Sequence, residues 1–351
     1  MTNKPTHCDI FCAVVDNYGD AGVCWRLARQ LAGEYGWRVR LWIDDPAPLR
    51  QLAPDYAAGP VEVRVWPKPW PTPWLAADAA DVVIEAFACE LPPACIEAMA
   101  TRARRPVWLN LEYLSAEGWV AGCHGMSSPH PRLPLVKHFF FPGFDPGTGG
   151  LLREHDYDAR RKAFDESAFR TGFGLPPKAK DELTISLFSY PNPALPDLIR
   201  AWAAASHPVR VLRPGSTEAA LTTGNLSVHP LPFLPQARYD ELLWACDLNF
   251  VRGEDSFVRA QWTGKPFVWH IYPQADDAHR AKLDAFLAIH PAGAQLGAFW
   301  HAWNGNGTPG WPDFAASLPG LGAPMKQWAG MLAARPDLAG RLVQFCLERL
   351  K

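Results

Sequence analysis

Short, nearly continuous apolar runs alternate along this chain with stretches whose apolar residues recur every three to four positions. Residues 9–15 (DIFCAVV) are apolar with little alternation, the pattern of a strand covered on both faces in a parallel sheet. From Val23, VCWRLARQLAGEYG places apolar residues at 23, 24, 27, 28, 31 and 32 and stops at Gly36, which predicts a helix. Residues 38–44, 81–87 and 106–114 predict further strands, with a helix over about 92–102. Glycine and proline then concentrate in FPGFDPGTGG at 141–150. Beyond it the rhythm resumes, with strands at 182–190, 208–212, 247–251 and 265–271 and helices at 194–204, 237–246 and 256–264. Strand–turn–helix repeats imply right-handed crossovers and mostly parallel sheets. The expected fold is α/β, with two Rossmann-like domains, 1–150 and 151–326, facing each other across a central crevice. The segment 327–351 reads as helical and is expected to pack back on the first domain.

Composition agrees with two cores. A chain of 351 residues is long for one, and 16 Trp and 18 Phe can fill both. The net charge is −2, and no block of like charges appears, so a nucleic-acid or membrane-surface partner is not expected. The start, MTNKPTHCDIFCAVV, has no signal-peptide pattern, and no run is long enough to span a membrane. Eight scattered cysteines without a C-x-x-C pair read as reduced, mostly buried thiols, so a cytoplasmic location is expected. Cys123-His124 lacks zinc spacing, and no metal site is expected there.

In paired Rossmann-like domains, ligands bind outside the carboxyl ends of the strands. Two loops there carry chemistry. The first, DNYGDAG at 16–22, keeps Gly19 and Gly22 of a phosphate-binding turn but flanks them with Asp16 and Asp20. Carboxylates repel phosphate by roughly 4 kcal/mol per close pair at an effective dielectric of about 20, so the loop suits a base or a cation better. Spacing alone leaves a Mg²⁺ site open, and also the plain use of Asp16 in a turn and Asp20 as a helix cap. The second loop, RGEDS at 252–256, leads from a strand into a helix, with Asp255 or Ser256 expected as the cap. Its helix start offers an anion site, and Glu254 is not explained by capping. A well-capped surface helix is the plain alternative. His270 and Tyr272, after the last strand, could reach the crevice, and the plain alternative for the histidine is a hydrogen-bonded structural residue.

DNYGDAGVCWRLARQL and FVRGEDSFVRAQWTGKPFVWHIYPQ, in this order, resemble the bacterial protein-arginine rhamnosyltransferases that modify translation elongation factor P, and the resemblance runs along nearly the whole chain. It implies a metal-independent, inverting glycosyltransferase of the GT-B type, without cofactor. The donor would be dTDP-β-L-rhamnose and the acceptor a loop-tip arginine of elongation factor P, activated thereby for polyproline translation. It implies an acceptor-binding N-terminal domain and a nucleotide-sugar-binding C-terminal domain. The family's essential acids fall on Asp16, Asp20 and Glu254. Its donor pocket falls on Phe188, Tyr190, Gln236, Tyr239, Asp255 and Ser256.

The residues agree with such an acceptor. Taking a proton from guanidinium, pKa about 13.8, to a carboxylate near 4 costs roughly 13 kcal/mol if done before attack. Several carboxylates can instead hold the planar cation and accept its proton as the new bond forms. The expected roles are Asp20 as base, Asp16 as orienting group, Glu254 as the group that polarises the guanidinium or steadies the sugar, and the amides of Asp255 and Ser256 for the leaving diphosphate. Tyr190 and Tyr239 are expected against the thymine. Two other readings compete: a sugar-nucleotide epimerase or hydrolase of the same fold, and a non-catalytic protein-binding module.

Overall fold

Strand His7–Cys12 (β1) is apolar on both faces because it lies inside a parallel sheet. Its exception, Asp9, is fully buried and accepts two bonds from Arg40, at 2.6 and 2.7 Å. Around it stand Arg38–Ile43 (β2), Glu62–Val65 (β3), Val82–Ala86 (β4), Val107–Leu111 (β5), Ser127–Pro129 (β6) and Val136–Phe140 (β7). The order is β3-β2-β1-β4-β5-β7-β6, parallel throughout except for β6 on β7. This computed structural model describes residues 5–16, 18–66, 70, 74–273 and 277–350.

The second sheet holds Leu183–Leu187 (β8), Val209–Pro214 (β9), Leu221–Thr223 (β10), Leu226–Leu231 (β11), Leu248–Arg252 (β12) and Phe267–His270 (β13). Its order is β10-β11-β9-β8-β12-β13, with only β10 antiparallel to its neighbour. In each sheet the winding reverses once, between β1 and β4 and between β8 and β12. Those switch points open a crevice at the strands' carboxyl ends. The two candidate loops follow β1 and β12, so each stands at its sheet's switch point.

The chain forms two compact units, Met1–His155 with Arg335–Lys351, and Asp156–Ala334. The sequence reading cut the chain at 150/151 and 326/327. The helical tail expected as one piece is two helices, Trp311–Ala333 in the second unit and Leu338–Arg349 in the first. Between them lies Pro336, and Asp337 caps the last helix by accepting from the amides of Ala339 and Gly340 at 2.9 and 3.2 Å. Asp337 also accepts from Gln30 at 2.9 Å, tying this helix to Tyr18–Tyr35 within the first unit. Trp311–Ala333 runs through Pro319 and Pro324, residues that conceal a helix from a sequence reading.

Two other expectations change. The first helix starts at Tyr18, not Val23, so most of the presumed turn is its first coil. The strand expected over 106–114 ends at Leu111, which leaves Glu112 and Tyr113 beyond the sheet.

Candidate active site

In the first unit, β1 delivers the chain to Asp16 and the helix Tyr18–Tyr35 begins at once. Asp20 is the third residue of that helix, not its cap. Its Oδ2 reaches back to accept from the amides of Val15 and Asp16, both at 2.8 Å. The Tyr113 hydroxyl, beyond β5, donates to the same carboxylate. Only 2 % of Asp20 is exposed. Burial lifts its carboxyl above the ordinary value, and the three hydrogen bonds work against that lift, while Asp44 beyond β2 adds to it. A buried carboxylate with its geometry fixed and its basicity raised is suited to accept a proton.

Asp16 is half-buried, and its carbonyl accepts from the Gly19 amide at 2.6 Å. Its carboxylate lies across Gly19, where a Cβ would stand 2.5 Å from Asp16 Oδ2. Glycine leaves that space to the Asp16 carboxylate. Asn17, between the two motif aspartates, lies outside the described residues.

In the second unit, β12 ends in Arg252, Gly253 turns the chain with a left-handed φ of 62°, and the helix Asp255–Trp262 follows. Asp255 and Ser256 were expected as caps, but Glu254 occupies the cap position, and its side chain makes no cap bond. Both other side chains are engaged elsewhere. Asp255 Oδ2 accepts from Gln236 Nε2 at 3.0 Å, and the Ser256 hydroxyl accepts from the Arg252 amide at 3.0 Å and donates to the Arg252 carbonyl. What Asp255 and Ser256 present at the helix start is therefore their backbone amides, which an α-helix leaves without intrahelical partners.

The aromatic expectations come together here. Phe188 and Tyr190 follow β8, and the Arg252 guanidinium lies 4.3 and 4.8 Å from their ring centres. Tyr239 packs edge-on against Phe188 at 5.6 Å, and burial pushes its phenol well above the usual value. Tyr190 meets His270 at 5.2 Å and Tyr272 at 5.6 Å. Burial, with Arg252 and His279 nearby, lowers His270 to about 4, so its ring is neutral at ordinary pH. Among the described residues its buried Nδ1 has no hydrogen-bond partner, while the ring packs against Tyr190 and Trp303.

The sequence reading missed Tyr113, Phe87 and Glu112, and for Arg252 it left a phosphate ligand or a surface cap partner open. The signal for the first three was position, since each stands just past the carboxyl end of β4 or β5. Among the described residues no group of three or more His, Cys, Asp or Glu is arranged to hold a metal. None of the eight cysteines is paired, and no described helix is long and apolar enough to cross a membrane.

Comparison with known proteins points one way. The model of the family described as "Elongation-Factor P (EF-P) rhamnosyltransferase EarP" matches residues 8–347. A protein-arginine rhamnosyltransferase of Pseudomonas aeruginosa is 48% identical over 380 residues, covering 97% of this chain and 99% of the relative. One from Neisseria meningitidis serogroup B is 41% identical over 310 residues, covering 82% and 79%. A structure solved for EarP-mediated arginine glycosylation of elongation factor EF-P superposes with a TM-score of 0.68 at 34% identity, covering 98% of this chain and 99% of that one. Acinetobacter baumannii MurG, at 14% identity and a TM-score of 0.54 over 98% and 100%, shares the GT-B fold.

Proposed function

The chain belongs to the elongation factor P rhamnosyltransferase family, and from that premise we propose that it moves L-rhamnose from dTDP-β-L-rhamnose to an arginine of elongation factor P, with inversion at C1. The observation that carries the mechanism is the pair of aspartates after β1, with Asp20 buried and held by two amides.

A terminal guanidinium nitrogen attacks C1 of the sugar. The C1–O bond to the diphosphate breaks, and its electron pair leaves with dTDP. The proton of the attacking nitrogen passes to Asp20. Removing it in step with bond formation avoids the roughly 13 kcal/mol that prior deprotonation would require. Asp16, lying across Gly19, holds the fork in plane, and Glu254, in the second unit with the donor, steadies the sugar. The diphosphate lies on the amides of Asp255 and Ser256, whose fixed dipoles favour the charge as it develops. Phe188, Tyr190, Gln236 and Tyr239 enclose the thymidine end. The first unit binds the acceptor and the second the donor. No metal is used, and the reaction takes place in the cytoplasm, where the acceptor works in translation.

Incubating the chain with dTDP-β-L-rhamnose and elongation factor P is expected to add one deoxyhexosyl mass to the acceptor, mapped by fragmentation to one arginine. An unchanged acceptor mass, with the donor consumed, would mean an epimerase or hydrolase instead. Excess EDTA is expected to leave the rate unchanged; loss of transfer restored by Mg²⁺ would refute the metal-free step.

A further inference from the structure

Beyond the carboxyl ends of β4 and β5 stands an arrangement that neither core packing nor capping explains. The rings of Phe87 and Tyr113 stack with centres 4.3 Å apart and planes 14° from parallel. Both are only partly buried, so the stack is not core. Phe87 and its neighbour Ala88 have left-handed backbones, φ 58° and 53°, a conformation that costs a non-glycine residue roughly 1 kcal/mol or more. The turn is nevertheless pinned. The Phe87 amide donates to the Leu111 carbonyl at 2.7 Å, and the Ala88 amide to Asn110 Oδ1 at 3.1 Å. Asn110 in turn donates to the Glu112 carboxylate. The hydroxyl of the same Tyr113 donates to Asp20.

We infer that Phe87 and Tyr113 form the acceptor's binding face, an aromatic surface for a guanidinium, and that Tyr113 is also the positioning residue of Asp20. A guanidinium is planar and delocalised; it stacks on aromatic faces while its N–H groups bond carboxylates in its own plane. Asp16, Asp20 and Glu112 supply such carboxylates from the β1 and β5 ends of the sheet. A sugar hydroxyl or a phosphate acceptor would gain from neither part. Tyrosine rather than phenylalanine at 113 joins the two functions, because one side chain both lines the face and bonds the base. Among the described residues, the charged and titratable groups that act on Asp20 include Asp16 and Cys24 on its own segment, Asp44 after β2 and Tyr113 after β5; of these, Tyr113 contributes a side-chain hydrogen bond that favours the carboxylate.

This inference rests on the rhamnosyltransferase reading, and the experiment separates the two. Initial rates are measured against acceptor concentration and pH for the wild type, Tyr113→Phe, Phe87→Leu and Phe87→Trp, with dTDP-rhamnose affinity by calorimetry as the check that the second unit is intact. Tyr113→Phe keeps the ring. It is expected to lower kcat about tenfold and move the acid limb of kcat/KM upward by about one pH unit, with acceptor KM within about twofold of wild type. Phe87→Leu is expected to raise acceptor KM about five- to tenfold and leave the acid limb in place, and Phe87→Trp to restore KM. An unmoved acid limb in Tyr113→Phe overturns the positioning role. A wild-type acceptor KM in Phe87→Leu overturns the binding face. If the wild type itself transfers nothing to arginine, the functional reading falls and takes this inference with it.

Discussion

Asp20 combines two demands that usually conflict. A buried acid raises the free energy of the folded state when ionised, yet the proposed step needs it ionised. Its folded pKa lies above the unfolded value, so the sign is that folding is favoured with the proton on and loses stability as pH rises through the folded pKa. Asp20→Asn removes the charge and keeps an oxygen for the amides of Val15 and Asp16. It is expected to lower kcat by about 10²–10⁴ while Tm at neutral pH stays equal to or above wild type, by calorimetry. Gly19→Ala separates position from chemistry. The new Cβ displaces the Asp16 carboxylate, while alanine in a first helical turn stabilises by about 0.5–1 kcal/mol. The expected outcome is a raised Tm with transfer reduced as in Asp16→Asn. Full activity in Gly19→Ala would remove Asp16 from the mechanism.

At the scale of elements, the donor loop depends on how two helices are held. Gln236–Ala245 carries Gln236 and Asp240, and Asp255–Trp262 carries Asp255 and Arg259. At one end Gln236 bonds Asp255. One turn further in, fully buried Arg259 grips Asp240 through two bonds, at 2.8 and 2.6 Å, and lies over Tyr157. The arginine of the RAQW motif is thus a brace between elements and not a ligand for phosphate. Arg259→Met takes both of these bonds from the buried Asp240 carboxylate, which keeps the contact from Arg160 at 3.3 Å. Removing one partner of such a pair costs about 3–5 kcal/mol. Denaturant unfolding is expected to show that loss, and calorimetry a weaker affinity for dTDP-rhamnose through the shifted Gln236–Asp255 contact.

For the molecule as a whole, the second unit has a pH-sensitive anchor at the end of β8 opposite its site. Glu182 is buried, which would raise its pKa, but Arg210 and Arg170 hold it at about 2. Being depressed, it contributes stability that is fully present above the ordinary glutamate value and is lost as pH falls through the folded one. The Tm difference between wild type and Glu182→Gln is therefore expected to be largest at neutral pH and to shrink between about pH 4.5 and 2. kcat at neutral pH is expected to be unchanged, since the network stands at the amino end of the strand. A constant Tm difference across that range would show that the ion pairs do not set acid stability.

Much of this was decided by sequence. Apolar runs such as β1 and β4 specify buried parallel strands because both of their faces must leave water, and the period-3.6 stretches specify the helices between them. Two aspartates after one such run and RGEDS after another identify the loops, since each charge needs hydrogen-bond donors or water that the interior of an apolar strand does not offer. Tertiary structure alone decided the rest. Short edge strands such as β3 and β10 have no apolar signature, because their few residues stay largely exposed on both faces. Pro319 and Pro324 contradict local helix propensity and are overridden by packing. Tyr113 and Phe87 are far from Asp20 in the chain and meet only because β1, β4 and β5 are neighbours in the sheet. Local patterns follow from which side chains must avoid water, and those act over a few residues; a base and the hydroxyl that positions it are joined by strand order, a property of the folded chain.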